Sequence, residues 1–213
     1  MLADQPLLID DLDLLRRSIL DLENQTSKKA QLWKSIKNSA RSAPMNFPWF
    51  TPFVALITGE PTDIQNAARV IRTYISKLDP MSFGIGLQFH FWCFAFPHAK
   101  WSLYFQWLCT LHAFSPEEEE QIRQQLISYH FINFYYGLRT KPEPECVDNQ
   151  TLSLAFSNAM VGYIFSQGDQ PSEMAERMLR DGLRRLPEVI GDMPASGYSG
   201  EGSAYMDLSL IHI

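Results

Sequence analysis

The residues TGEPTDIQNAARVIRTYISKL (58–78) restrict what this chain can fold into more than any other stretch. Ile64, Ala67, Ala68, Ile71, Ile75 and Leu78 recur at steps of three and four, so they share one face of a helix and cannot share one face of a strand. Gly59 is placed to close a preceding helix and Thr62 to cap this one. The same periodicity appears in Leu12, Leu15, Ile19 and Leu22, and more briefly in Leu32, Trp33 and Ile36. A further helix is expected from about Pro97 to Ala113. In SPEEEEQIRQQL, Ser115 is the expected N-cap, Pro116 the first helical residue and Glu118 the closing residue of a capping box. After the proline-rich connection KPEPECVD (141–148), TLSLAFSNAMVGYIF is apolar on nearly every side, as a helix buried between others would be. Ser172 is the expected cap of a last helix carrying Met174, Met178, Leu179, Leu183 and Leu186 and ending before Pro187. Strand-like alternation appears nowhere. The fold class expected is therefore all-α.

A run of paired helices with short loops makes either an α-solenoid or an (α/α) toroid of antiparallel helix pairs. A solenoid repeats with a fixed period, and none is found here. The unequal helices and aromatic loops favour the toroid.

Charge and composition narrow the partners. With 213 residues, 46% hydrophobic and 20% charged, the chain can bury a sizeable core. Its formal charge of −6 argues against a nucleic-acid partner, although a local basic pocket could still hold an acidic glycan. Cys93, Cys109 and Cys146 lie far apart without a metal-binding spacing, so buried free thiols are expected, with no metal and no cofactor. The greasiest stretch, FHFWCFAF (89–96), is too short to span a membrane, and the N-terminal residues lack the basic start of a signal peptide.

Several residue clusters invite a functional reading that simpler physics absorbs. The four glutamates 117–120 fall in a first helical turn, where they favour the helix dipole and face water. His90, His98, His112 and His130 are scattered among aromatics and are expected to pack. Asn158 is expected to bond within its own helix. Trp92, Trp101 and Trp107 could form a sugar-stacking wall, but helical spacing favours core packing for at least two of them.

The order of segments resembles the helical domain of the heparinase II/III-like polysaccharide lyases. ALITGEP (55–61) resembles that family's "TGD"-like turn, and DIQNAARVI (63–71) its "YxxAA" helix. KWSLYFQWLCTLHAFSPEEEEQI follows as the aromatic helix and its "S-P-E-E" successor, then DNQTLSLAFSNAMVGY as the Asn-led apolar helix. SGYSGEGSAY (196–205) comes last, similar to the family's "D-G-x-x-x-E-G-x-x-Y" loop with Ser196 in place of the Asp. The resemblance covers most of residues 45–206, and its weight lies in the order of the motifs.

The resemblance implies β-elimination at the uronic acid of an acidic polysaccharide, alginate-like or glycosaminoglycan-like. The proton beside the uronate carboxylate is too weakly acidic to leave unless that carboxylate is neutralised, and the leaving oxygen needs an acid. Asn149 matches the neutralising residue and Tyr205 the catalytic tyrosine, 56 residues later. Gln150 stands where several members have His, and it can still donate to a carboxylate. Glu201 and Tyr198 are expected to anchor the loop or meet sugar hydroxyls. The residues alone leave Asn149 open to a helix-capping role and Tyr205 to being a half-buried aromatic. An α/α-toroid glycoside hydrolase, which needs two carboxylates across a cleft, and a non-catalytic glycan-binding helical module are the competing readings.

The last six residues, LSLIHI (208–213), match no part of that pattern. Read as codons, CTG-TCT-CTT-ATA-CAC-ATC would give these six residues, and that DNA resembles the transposon end used in preparing sequencing libraries. Residues 1–207 are therefore expected to be a partial toroid domain and 208–213 a non-native tail. By the resemblance, missing helices and a C-terminal β-sandwich would follow, and the protein would be periplasmic or secreted. A toroid cut short exposes its inner helices, so the fragment alone is expected to be inactive.

Overall fold

A computed structural model describes the backbone of residues 12–78, 92–135, 149–167 and 172–191, and the side chains of 12–78, 95–135, 152–167 and 172–187. The described residues are all-helical, and no strand occurs among them. The chain divides into two compact units, one of residues 1–78, 101–125 and 167–169, the other of the remainder.

The first unit holds α1 (Leu12–Leu20), a 3-10 turn (Asp21–Asn24), α2 (Lys28–Ser42), α3 (Thr51–Thr58) and α4 (Pro61–Ile75). It also takes residues 101–110 of α5 (Trp92–Thr110) and 116–125 of α6 (Pro116–His130). Trp33, Ala40, Val54 and Ile57 form one buried cluster, against which Leu15, Ile19, Leu22, Ile36 and Phe53 pack. The leucine periodicity of α1 thus finds its partner in α2 and α3. Each large side chain removed from water here contributes roughly 1.5–3 kcal/mol.

Caps and turns fix the helix ends. Ser27 caps α2 by accepting a hydrogen bond from the Ala30 amide at 3.2 Å. Gly59, in the left-handed region at φ 63°, ends α3 with its amide donating to the Ala55 carbonyl. Thr62 does not cap α4. The helix starts two residues earlier than that cap would set, at Pro61, whose fixed φ suits a first helical position, and Glu60 stands in the cap position without a side-chain cap bond.

Asp63, on the first turn of α4, is held instead by Arg41 from the end of α2. The Arg41 Nε–H donates to Oδ1 at 2.8 Å and Nη2–H to Oδ2 at 2.7 Å, while Glu60 accepts from Nη2 at 2.6 Å. Thr58 donates its hydroxyl to Asp63 Oδ2 at 2.7 Å. The "TGE" turn is therefore clamped to α2 by a two-pronged ion pair.

α6 starts at Pro116, with the Glu118 amide donating to Ser115 Oγ at 3.2 Å. The Ser115 amide in turn donates to the Glu118 carboxylate, so both halves of the expected capping box are present. The Glu118 carboxylate also accepts from Arg72 of α4, and the Ser115 hydroxyl donates to Glu117. α5 ends in a Schellman motif: Ala113 N–H donates to Leu108 O and His112 N–H to Cys109 O, with His112 at φ 54° where glycine is usual.

The second unit contains residues 92–100 of α5, 126–130 of α6, a π-helical turn (Phe131–Tyr135), α7 (Asn149–Ser166) and α8 (Glu173–Gly191). α5 begins at Trp92, so Pro97 lies inside it rather than at its start. Likewise α8 runs through Pro187 to Gly191 instead of stopping before the proline. α7 and α8 pack backbone to backbone. A Cβ on Gly162 would meet the Leu179 amide nitrogen at 2.3 Å, and one on Gly182 the Ala159 nitrogen at 2.6 Å. Two glycines facing alanines let the helices approach this closely. Met178 fills the same core, whereas Leu183 is 53% exposed despite its helical register. The Tyr135 hydroxyl ties the π-helical turn to Asp181 of α8 at 2.7 Å.

Candidate functional site

Asn149 and Gln150 open α7, at its amino end. There the free backbone N–H groups and the helix dipole favour an anion. The side chains of these two residues lie outside the described set, as do Tyr198, Glu201, Tyr205 and the tail 208–213. His90 and the side chains of Trp92, Cys93 and Cys146 also lie outside it.

Of the three described histidines, His98 and His130 pack as expected, whereas His112 is exposed just past the end of α5 and does not. His98 and His130 are fully buried with stacked rings, centroids 5.2 Å apart. Tyr129 and Phe134 surround them, with ring centroids 4.9 and 5.8 Å from His98 and Phe134 at 5.0 Å from His130. His98 Nε2 lies 3.2 Å from the Leu126 carbonyl, and because a carbonyl only accepts, Nε2 carries the proton. Burial drives the His98 ring down to about 4, against a smaller opposing effect of that hydrogen bond. His130 is driven well below its ordinary value by burial and by His98. Neither ring nitrogen of His130 has a hydrogen-bond partner among the described residues. Both rings are neutral near pH 7 and closed to substrate, which suits a core and not an acid–base pair.

Asn158 is buried, and its amide donates to the Leu154 carbonyl one turn back at 2.7 Å. The expected intrahelical bond is therefore present. Cys109 is a buried free thiol, pushed up by burial and by Glu119, and is no nucleophile. Among the four glutamates, Glu118 pairs with Arg72 and Glu120 with Arg123, so two of them are committed to ion pairs. Burial opposes the charge on Asp63, but the hydrogen bonds from Arg41 and Thr58 outweigh it and hold the carboxyl below its usual range. Arg41 is raised by the same bond. These charges hold helices together and offer no free catalytic group.

Trp101 and Trp107 are buried, as helical spacing predicts for at least two of the three tryptophans. An exposed aromatic group lies instead on the connection between α2 and α3, where Phe47, Trp49 and Phe50 are each about two-fifths exposed. Sequence reasoning passed over it. The signal was present in PMNFPWF (44–50), a run of rings between prolines that obeys no helical period.

Among the described residues no group of three or more potential ligands could hold a metal ion, and no helix is long and apolar enough to cross a membrane. No protein-family profile, curated protein or solved structure matches this chain.

Proposed function

We propose that the chain is the helical part, an incomplete (α/α) toroid, of a lyase that cleaves uronic-acid-containing polysaccharide by β-elimination. One observation carries the reading: the ordered series of motifs from the "TGE" turn to SGYSGEGSAY, in which Asn149 opens a helix and Tyr205 follows 56 residues on. The position of Asn149 supports its role. An amide donor at the amino end of a helix, joined by the free backbone N–H groups, suits a uronate carboxylate that gathers negative charge.

In the reaction, Tyr205 as phenolate takes the proton from the carbon beside the carboxylate. Charge spreads onto the carboxylate, where Asn149 and Gln150 donate hydrogen bonds. The C–O bond to the leaving sugar then breaks as the carbon–carbon double bond forms, and the tyrosine returns its proton to the departing oxygen. Glu201 and Tyr198 hold the loop or the sugar hydroxyls. The resemblance places such an enzyme in the periplasm or outside the cell.

The test uses the product of the uninterrupted gene, incubated with alginate, heparinoids and hyaluronan. Unsaturated product, seen by its ultraviolet absorbance, is expected, with at least a hundredfold loss of kcat in Tyr205→Phe, the order of one general acid–base contribution. Full activity in that variant would sink the assignment. Saturated product would favour a hydrolase, and affinity without turnover a binding module.

A further inference from the structure

We propose that the connection between α2 and α3 is a carbohydrate-stacking platform with Trp49 as its central ring. The inference takes its ligand class from the glycan reading above and adds a site that reading does not contain. Four large apolar side chains fall within six residues, Met45, Phe47, Trp49 and Phe50, each 38–42% exposed. Such a cluster is costly to leave in water without use.

The platform is built rather than loose. The amides of Phe50 and Thr51 both donate to the Phe47 carbonyl, and the Asn46 amide donates to that of Ala43. The buried Thr51 hydroxyl lies 3.0 Å from the Phe47 carbonyl oxygen and 3.2 Å from that of Pro44. Trp49 rests on the Trp101 ring, centroids 5.2 Å apart, and Trp101 stacks on Tyr74 at 4.4 Å. Tyr104 supports Trp49 from another side at 6.3 Å. Phe47 and Phe50 lie nearly parallel, 21° between planes. Rings already fixed in place lose little entropy when a ligand lands on them.

The chemistry selects a sugar. A pyranose presents a flat face of slightly positive C–H groups, which suits the negative face of an aromatic ring. The exposed Asn46 amide, between Met45 and Phe47, supplies both a donor and an acceptor for hydroxyls. One or two sugar rings would cover the patch.

The experiment measures binding of alginate, hyaluronan and heparin oligosaccharides to this chain by calorimetry, with sedimentation as a check on self-association. Trp49→Ala is expected to weaken binding about tenfold, the order of one lost ring contact, and to lower the thermal midpoint somewhat as its packing on Trp101 is lost. Trp49→Phe is expected to keep most of the affinity, and it stands in if the alanine variant does not fold: Phe50→Ala then reads the loss. Unchanged affinity in Trp49→Ala, or no binding of any oligosaccharide by the unaltered chain, would overturn the platform. So would a variant that loses only self-association, since the patch would then be a contact between copies. Failure of the lyase reading looks different: sugar held through Trp49 with no unsaturated product from the full gene product.

Discussion

The two units accommodate polar atoms in a helical core with different emphasis, although Ser102 and Gln106 are also buried in the first and Arg185 in the second. In the first unit charge meets charge at the edge of the core: Arg41 on Asp63 and Glu60, Arg72 on Glu118, Lys37 on Glu23. In the second, neutral polar groups are sealed inside, with His98, His130, Ser157 and Asn158 all at or near zero exposure, and the helices touch through glycine. A fold tied by ion pairs yields to changes of charge. One sealed by close contact yields to changes of volume.

The contrast breaks most sharply at Gly162. A methyl group there meets backbone atoms of α8 at 2.3–2.7 Å, and backbone cannot swing aside as a side chain can. Gly162→Ala is expected to cost about 4 kcal/mol, in the range reserved for severe overpacking. Gly59→Ala is the internal control. Nothing lies within 4 Å of its would-be Cβ, so only the φ of 63° opposes it, and the cost is about 1 kcal/mol. Urea unfolding of both variants checks the difference, and equal losses would remove volume as the explanation.

In the first unit the matching change is Asp63→Asn. The carboxylate is buried at 2% exposure while Arg41 is a third exposed, so the pair is only partly shielded from water. Losing it is expected to cost about 2–3 kcal/mol, less than a fully buried pair and more than a surface one. Added salt should change that loss little. By contrast, the loss in Glu118→Gln, whose partner Arg72 is nearly half exposed, is expected to stay below about 1 kcal/mol and to vanish in high salt. Double-mutant cycles of Arg41 with Asp63 and of Arg72 with Glu118, each at two salt concentrations, measure both terms.

The helical content and most helix faces were legible in the sequence, because periods of three and four leave no other reading. α4 buries Ala67, Ala68, Ile71 and Ile75 where the pattern puts them, whereas in α2 Trp33 is buried and Leu32 beside it is 62% exposed. The helix ends were less legible. Pro97 and Pro187 read as boundaries, yet both sit inside helices, since local signals weigh a lost hydrogen bond but not the packing that offsets it. The capping box at Glu118 was legible, but its further partner Arg72, 46 residues away in sequence, was not. Leu183 belongs to an apolar register and faces water all the same. As for the site, Asn149 is placed at a helix start by its backbone alone, and the Tyr205 loop falls outside the described residues, so its reading stays with the motif order. Trp49 was missed because periodicity is blind to rings on a connection.

The last difference between the units is one of pH. Above about pH 6.5 an unfolded histidine is neutral, as His98 and His130 are when folded, and neither state gains on the other. As the pH falls below that value the unfolded chain takes up protons that the buried rings refuse. His98 holds out to about 4, so the stability it contributes is present above 6.5 and lost steadily between those limits. Asp63 does not share this window. Its carboxyl lies below the ordinary range, so its contribution persists until the pH falls lower still. Between about pH 7 and about pH 5.5, the buried His98 ring is therefore expected to cost about 1 kcal/mol of stability, and His130 acts in the same direction. His130→Phe keeps the ring stack with Phe134 and His98 while removing two unpartnered nitrogens, so the variant should gain stability near pH 7 and lose part of the slope. Urea midpoints across that range decide it. An unchanged slope in the variant would mean that His130 is protonated as easily inside the protein as out.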